Sequence, residues 1–239
     1  MKVITTSLKY FTVQTLRVGN PEAVNYIISG RVLVNGKKGK LAQVLLPEDE
    51  VCFDNQVIKE AKPLIYLAYY KPRGIESTLN PQIENNLLQA LGFDQKVFPV
   101  GRLDKESEGL MLLTNNGDIL YRIIHAEQHQ EKEYRVTVDK PLTPEALAHL
   151  AAGVVIMGKK TRPAILQPVN ATTFKIILTQ GLNRQIRRMC YKLGYQVQQL
   201  IRLRIVNIGL DNLTPGEWRY LSQKEITDLT EILAVPARD

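Results

Sequence analysis

Two spacings of apolar residues alternate along the chain, and glycine, proline and asparagine punctuate them. Asn20-Pro21-Glu22 offers an N-cap, a proline at the first helical position and an early acid. It predicts a helix through Val24, Ile27 and Ile28 that stops at Gly30. Arg31-Val32-Leu33-Val34 alternates as a strand into Asn35-Gly36, a tight-turn signal. Val44-Leu45-Leu46 and Val51-Cys52-Phe53 are two further short strands around the turn Pro47-Glu48-Asp49, and Glu60-Ala61-Lys62-Pro63 reads as a linker. Next come an aromatic-rich strand, Leu64 to Tyr70, broken by Lys71-Pro72-Arg73-Gly74, and a short helix from Leu87 to Leu91.

The later half continues in the same mixed manner. Val97 to Val100 and Leu110 to Thr114 read as buried strands joined by the polar loop Gly101 to Gly109. Asp118 caps a helix through Leu120, Ile123 and Ile124; Glu133 to Val138 alternates as a strand; Thr143-Pro144-Glu145 opens a helix that ends at Gly153. Strands follow at Ala164 to Val169 and Phe174 to Thr179. Leu182 to Leu193 is then helical, with Leu182, Ile186, Met189, Cys190 and Leu193 on one face. Leu200 to Ile208 is a strand, which sets Arg202 and Arg204 opposite Ile201, Leu203 and Ile205. A capping box, Ser222 with Glu225, opens a last helix through Ile226, Leu229 and Leu233. The fold class is α+β, in two parts divided near residue 62.

Charge changes this picture more than composition does. The chain of 239 residues carries a net charge of +7. From Ala146 to Leu210 there is no Asp or Glu, while ten Lys and Arg residues fall there, leaving 21 basic against 24 acidic residues elsewhere. That asymmetry is the footprint of a polyanion partner. No apolar run reaches the roughly 18 residues of a membrane span. Met1 to Thr6 lacks a signal-peptide core, and Cys52 and Cys190 stand alone, so the expectation is a cytoplasmic protein. His125, His129 and His149 have no cysteine partners and form no HExxH arrangement, so no metal site is assigned.

The loop Gly101-Arg102-Leu103-Asp104-Lys105-Glu106-Ser107-Glu108-Gly109 holds three carboxylates and two cations at the edge of a predicted sheet. On the helix after Gly181, successive residues turn by about 100°. Arg187 then lies nearest the edge of the apolar stripe and reaches inward, while Arg184 and Arg188 face solvent or a polyanion. An arginine beside a carboxylate keeps it ionised, and an ionised carboxylate serves as a nucleophile without a metal or cofactor.

Gly101-Arg102-Leu103-Asp104, Lys132-Glu133-Tyr134 and Gly181-Leu182-Asn183-Arg184-Gln185-Ile186-Arg187-Arg188-Met189 resemble the motifs of the RsuA-type pseudouridine synthases, closest to the RluF and RluB group that acts on large-subunit ribosomal RNA. Ser29 to Gly36 with Pro47 to Val51 resembles the second half of an S4 RNA-binding domain; the usual arginine-rich helix start is absent, which leaves Arg17 and Arg31 as sparse candidates for phosphate contact in a module that either docks RNA weakly or is mainly structural. The resemblance implies an S4-like module at 1–62 and a catalytic domain at 63–239, whose central sheet is mixed, mainly antiparallel and flanked by helices. It implies Asp104 as nucleophile, at ribose C1′ or uracil C6, with Arg187 paired to it and Tyr134 against the uracil. Arg102, Lys105, Asn183, Arg184, Gln185, Arg188, Arg202 and Arg204 would hold RNA. It implies no cofactor, a monomer, and 23S ribosomal RNA as partner, extended to a transfer RNA. Two other classes compete: a non-catalytic ribosome-assembly factor, and a hydrolase pairing Asp104 with Glu108.

Overall fold

The computed structural model describes residues 6–124 and 130–234. His125, His129 and Met1 to Thr5, on which parts of the histidine and N-terminal readings rest, lie outside the described residues. The chain divides into two compact units, one of residues 1–65 with 114–118 and one of residues 66–113 with 119–239.

In the first unit the helices Leu8–Leu16 and Asn20–Ile28 accompany an antiparallel sheet ordered Lys37–Lys38, Val32–Val34, Val51–Phe53, Gln56–Lys59. Leu8, Ile27, Val32, Val34, Leu45 and Val51 form its core. Asn35 and Gly36 both have positive φ, as the tight hairpin between Val34 and Lys37 requires. Two features differ from the sequence reading. The second helix is capped by Gly19, so Asn20 is its first residue and caps nothing. The first helix escapes the apolar pattern because it buries only Leu8 and Thr12; its one clear signal is Ser7, whose side chain accepts from the Tyr10 N–H.

The second unit is built on one mixed sheet. Among the described residues its strands run Ile165–Pro168, Thr173–Leu178, Lys132–Val138, Val197–Ile205, Glu108–Thr114, Tyr66–Lys71, Trp218–Tyr220. Two short strands are added at its margins: Ile208–Gly209 beside Val197–Ile205, and Phe98–Pro99 beside Glu108–Thr114. Val197–Ile205 pairs antiparallel with Lys132–Val138 and parallel with Glu108–Thr114. Tyr66–Lys71 is buried throughout and Glu108–Thr114 nearly so, which is why neither alternates in sequence. Tyr66, Tyr69 and Tyr70 are therefore core residues, and none is an exposed stacking group. No described helix is long and apolar enough to cross a membrane.

The strand expected at Leu200 to Ile208 begins three residues earlier and ends at Ile205, because Val206 takes positive φ and turns the chain into Ile208–Gly209. Its middle is covered on both faces, so the expected polar face does not exist there. The closing helix, Gln223–Ile232, carries the capping box Ser222 and Glu225 in full.

Candidate active site

The loop between Phe98–Pro99 and Glu108–Thr114 is fixed along its length. Ser77 Oγ donates to the Leu103 carbonyl (2.6 Å) and accepts from the Leu103 N–H (3.1 Å). The Gly74 N–H donates to the Lys105 carbonyl, and the Ser107 N–H to that of Asp104. Arg73 pairs with the Glu106 carboxylate at 2.9 Å. Between these anchors Asp104 presents its carboxylate at 28% exposure. Because both Ser77 bonds are buried, Ser77→Ala should cost about 1–3 kcal/mol and lower turnover by loosening the loop. Urea unfolding and turnover measured together check this, and an unchanged midpoint would show that Ser77 does not hold the loop.

Among the described residues, the side chain within ion-pair distance of Asp104 is Arg184, at 3.7 Å. This corrects the expectation that Arg187 would make that pair. The reason is local: Arg184 has φ 50 and ψ 36 and precedes the helix, which runs Gln185–Lys192 rather than from Leu182. A left-handed residue turns its side chain off the helical wheel on which Arg184 was placed. Arg187 clamps the loop from behind instead, donating to the Glu106 carbonyl (2.9 Å), Ser107 Oγ (3.2 Å) and the Val197 carbonyl (3.1 Å). Burial and the nearby Arg184 push its guanidinium below the usual value, and the charge of Asp104 opposes them.

Three expected RNA contacts are corrected by burial or pairing. Arg202 is 1% exposed. Its Nε donates to the Leu110 carbonyl (2.7 Å) and Nη1 to the Arg102 carbonyl (3.3 Å), while Nη2 has no partner. It stands opposite Tyr134 in the ladder, and the tyrosine hydroxyl is within electrostatic reach of the guanidinium. Arg202 thus joins the Tyr134 strand to the backbone two residues ahead of Asp104. Arg204 is tied to Glu131 (2.9 Å) and Glu133 (3.2 Å), acids that approach from the neighbouring strand although the sequence around Arg204 has none. Gln185 is buried, and its side chain accepts from the Leu182 N–H. Arg102, Lys105, Asn183, Arg184 and Arg188 remain exposed, with Arg188 held by Asn183.

Sequence reasoning missed Lys71 and Ser77. Lys71 is fully buried, donates to the Pro72 and Ile75 carbonyls, and has its pKa pushed down to about 8 by that burial. Glu108, the second carboxylate of the hydrolase reading, is occupied by Gln199 (2.8 Å) and the Tyr70 hydroxyl (3.3 Å).

A partly exposed carboxylate on a rigid loop, beside an arginine and in a basic surround, is suited to attack on an anionic substrate. The sequence profile of the RNA pseudouridylate synthase family matches residues 65–192, spanning this loop, the Tyr134 strand and the arginine helix. The chain belongs to that family. It is 43% identical to the dual-specificity RNA pseudouridine synthase RluF of Escherichia coli K12, over 89% of this chain and 74% of that protein. It is 32% identical to ribosomal small subunit pseudouridine synthase A of the same organism, over 93% and 99%. A crystal structure of a pseudouridylate synthase superposes with a TM-score of 0.66 at 29% identity, over 93% of this chain and 99% of that one. This pseudouridine synthase is accordingly of the RsuA type and similar to RluF.

Proposed function

We propose that this enzyme isomerises a uridine of 23S ribosomal RNA, and a uridine of a transfer RNA as second substrate, with Asp104 as nucleophile. The observation that carries the reading is the placement of the Asp104 carboxylate, partly exposed on an anchored loop and paired to Arg184. The uridine must leave its stack to meet that loop, at a few kcal/mol of unstacking, which contacts from exposed arginines to phosphate offset. Asp104 adds to C1′ or C6; the N1–C1′ bond breaks, C5 bonds to C1′, the bond to Asp104 breaks and frees the carboxylate, C5 loses its proton and N1 gains one. Tyr134 lies against the uracil, and Arg187 acts as a positioning residue for the loop.

The first unit docks RNA in the manner of an S4 module. Its arginine at residue 31 is committed to Asp54 (Nε to Oδ1, 2.8 Å) and stacked on Tyr26, so the exposed Lys37, Lys38 and Lys40 carry that contact. The test is release of tritium from C5 of uridine in 23S ribosomal and transfer RNA transcripts. Release from both supports the dual specificity; release from neither overturns it.

A further inference from the structure

A groove of about 540 Å³ lies along the Gln185–Lys192 helix, walled by the hairpin of Val155–Ile156 and Lys159–Lys160. It starts at Arg184, the partner of Asp104, and continues past Arg188 to Tyr191 and Lys192, with Met157 in its wall. Two apolar side chains in it are unusually open to solvent: Tyr191 at 74% and Met157 at 64%. Neither contributes to the core cluster beneath, and among the described residues no acid lines the groove.

The backbone at Met157 adds an independent observation. Met157 and Gly158 form the tip of the hairpin with φ of 50° and 76°. At such a position asparagine or glycine sits with less strain than methionine. The hairpin therefore carries an exposed thioether where folding alone favours a small polar residue. An aromatic ring and a polarizable thioether among cations match a nucleobase and its phosphates, since stacking on an aromatic tolerates any base.

We propose that this groove is a second nucleotide subsite: it receives an RNA base splayed out beside the target uridine, stacked on Tyr191 and backed by Met157, with Arg188 and Lys192 on its phosphates. The proposal rests on the RNA-uridine reading above, and it adds a determinant of which RNA is held that lies outside the chemistry.

Binding and turnover are to be measured separately, with a fluorescein-labelled 23S ribosomal RNA transcript for affinity and the tritiated transcript for turnover. Tyr191→Ala should weaken Kd about tenfold, the scale of one base–aromatic stack, and Tyr191→Phe should restore it. Met157→Asn should raise the melting temperature while weakening Kd several-fold, a combination that a structural role for Met157 does not produce. Kd within twofold of wild type for both Tyr191→Ala and Met157→Asn overturns the subsite, whether or not tritium is released. Weakened binding without wild-type tritium release keeps the subsite as an RNA contact and rejects the isomerase assignment on this transcript.

Discussion

Asp104→Asn should lower tritium release by at least about 10³-fold, the loss expected when a covalent nucleophile is replaced by a non-nucleophilic isostere. The fold should survive the change. The loop is held through backbone groups at residues 103 to 106 and by Ser77 and Arg187, none of which involves the Asp104 carboxylate. The pair with Arg184 spans 3.7 Å between partly exposed groups, and such pairs contribute about 0–1 kcal/mol. Glu106→Gln is the matched control. It removes a carboxylate two residues away together with the exposed Arg73 pair, while the Glu106 carbonyl that Arg187 uses remains. A variant at Asp104 that keeps a tenth of wild-type turnover would sink its assignment as nucleophile; equal losses at Glu106 would point to the charge and anchoring of the loop instead.

Gly109→Ala should destabilise the second unit by roughly 3–5 kcal/mol. Gly109 stands at the parallel junction with Val197–Ile205, at φ 105°, in register with Arg202. A methyl group there would fall 2.6 Å from the Arg202 nitrogen and closer still to its carbonyl oxygen. Both obstacles are backbone, so relief requires parting the two strands that carry the loop and Arg202. Gly101→Ala is the contrast: φ is 79° but the added methyl meets nothing within 4 Å, so only the left-handed penalty of roughly 1–2 kcal/mol applies. Urea midpoints of the two variants separate crowding from conformational strain. Equal shifts would show that the close approach at Gly109 relaxes freely.

What the sequence made legible was local. The apolar runs around residues 101–109, the proline and threonine at the start of the Pro144–Ala152 helix and the Ser222 capping box each act within a few residues. The errors at Arg202 and Arg204 came from partners brought in by the sheet. Arg202 looks like a polar-face residue until the fold buries it against the carbonyls of Leu110 and Arg102. Arg204 belongs to an acid-free stretch of sequence, yet Glu131 and Glu133 reach it across the ladder. Arg184, not Arg187, pairs with Asp104 because a left-handed residue starts the helix three positions later than expected, which leaves Arg187 to hold the loop backbone. Charge counted along a chain therefore overstates the charge a surface offers: part of this basic segment is spent inside the protein.

The clamp on the Asp104 loop also fixes when the enzyme becomes competent. Arg187 grips Glu106 across 81 residues of chain, and Arg202 reaches Leu110 across 92. Contacts of such long sequence separation close late, and a ribosome adds residues from the N-terminus at about 5–20 per second. For several seconds the nascent chain contains its aspartate and the motif around it but lacks the strand and helix that set them. A chain stalled before Val197–Ile205 has emerged would carry Asp104 on a loop that neither Arg187 nor Arg202 yet holds.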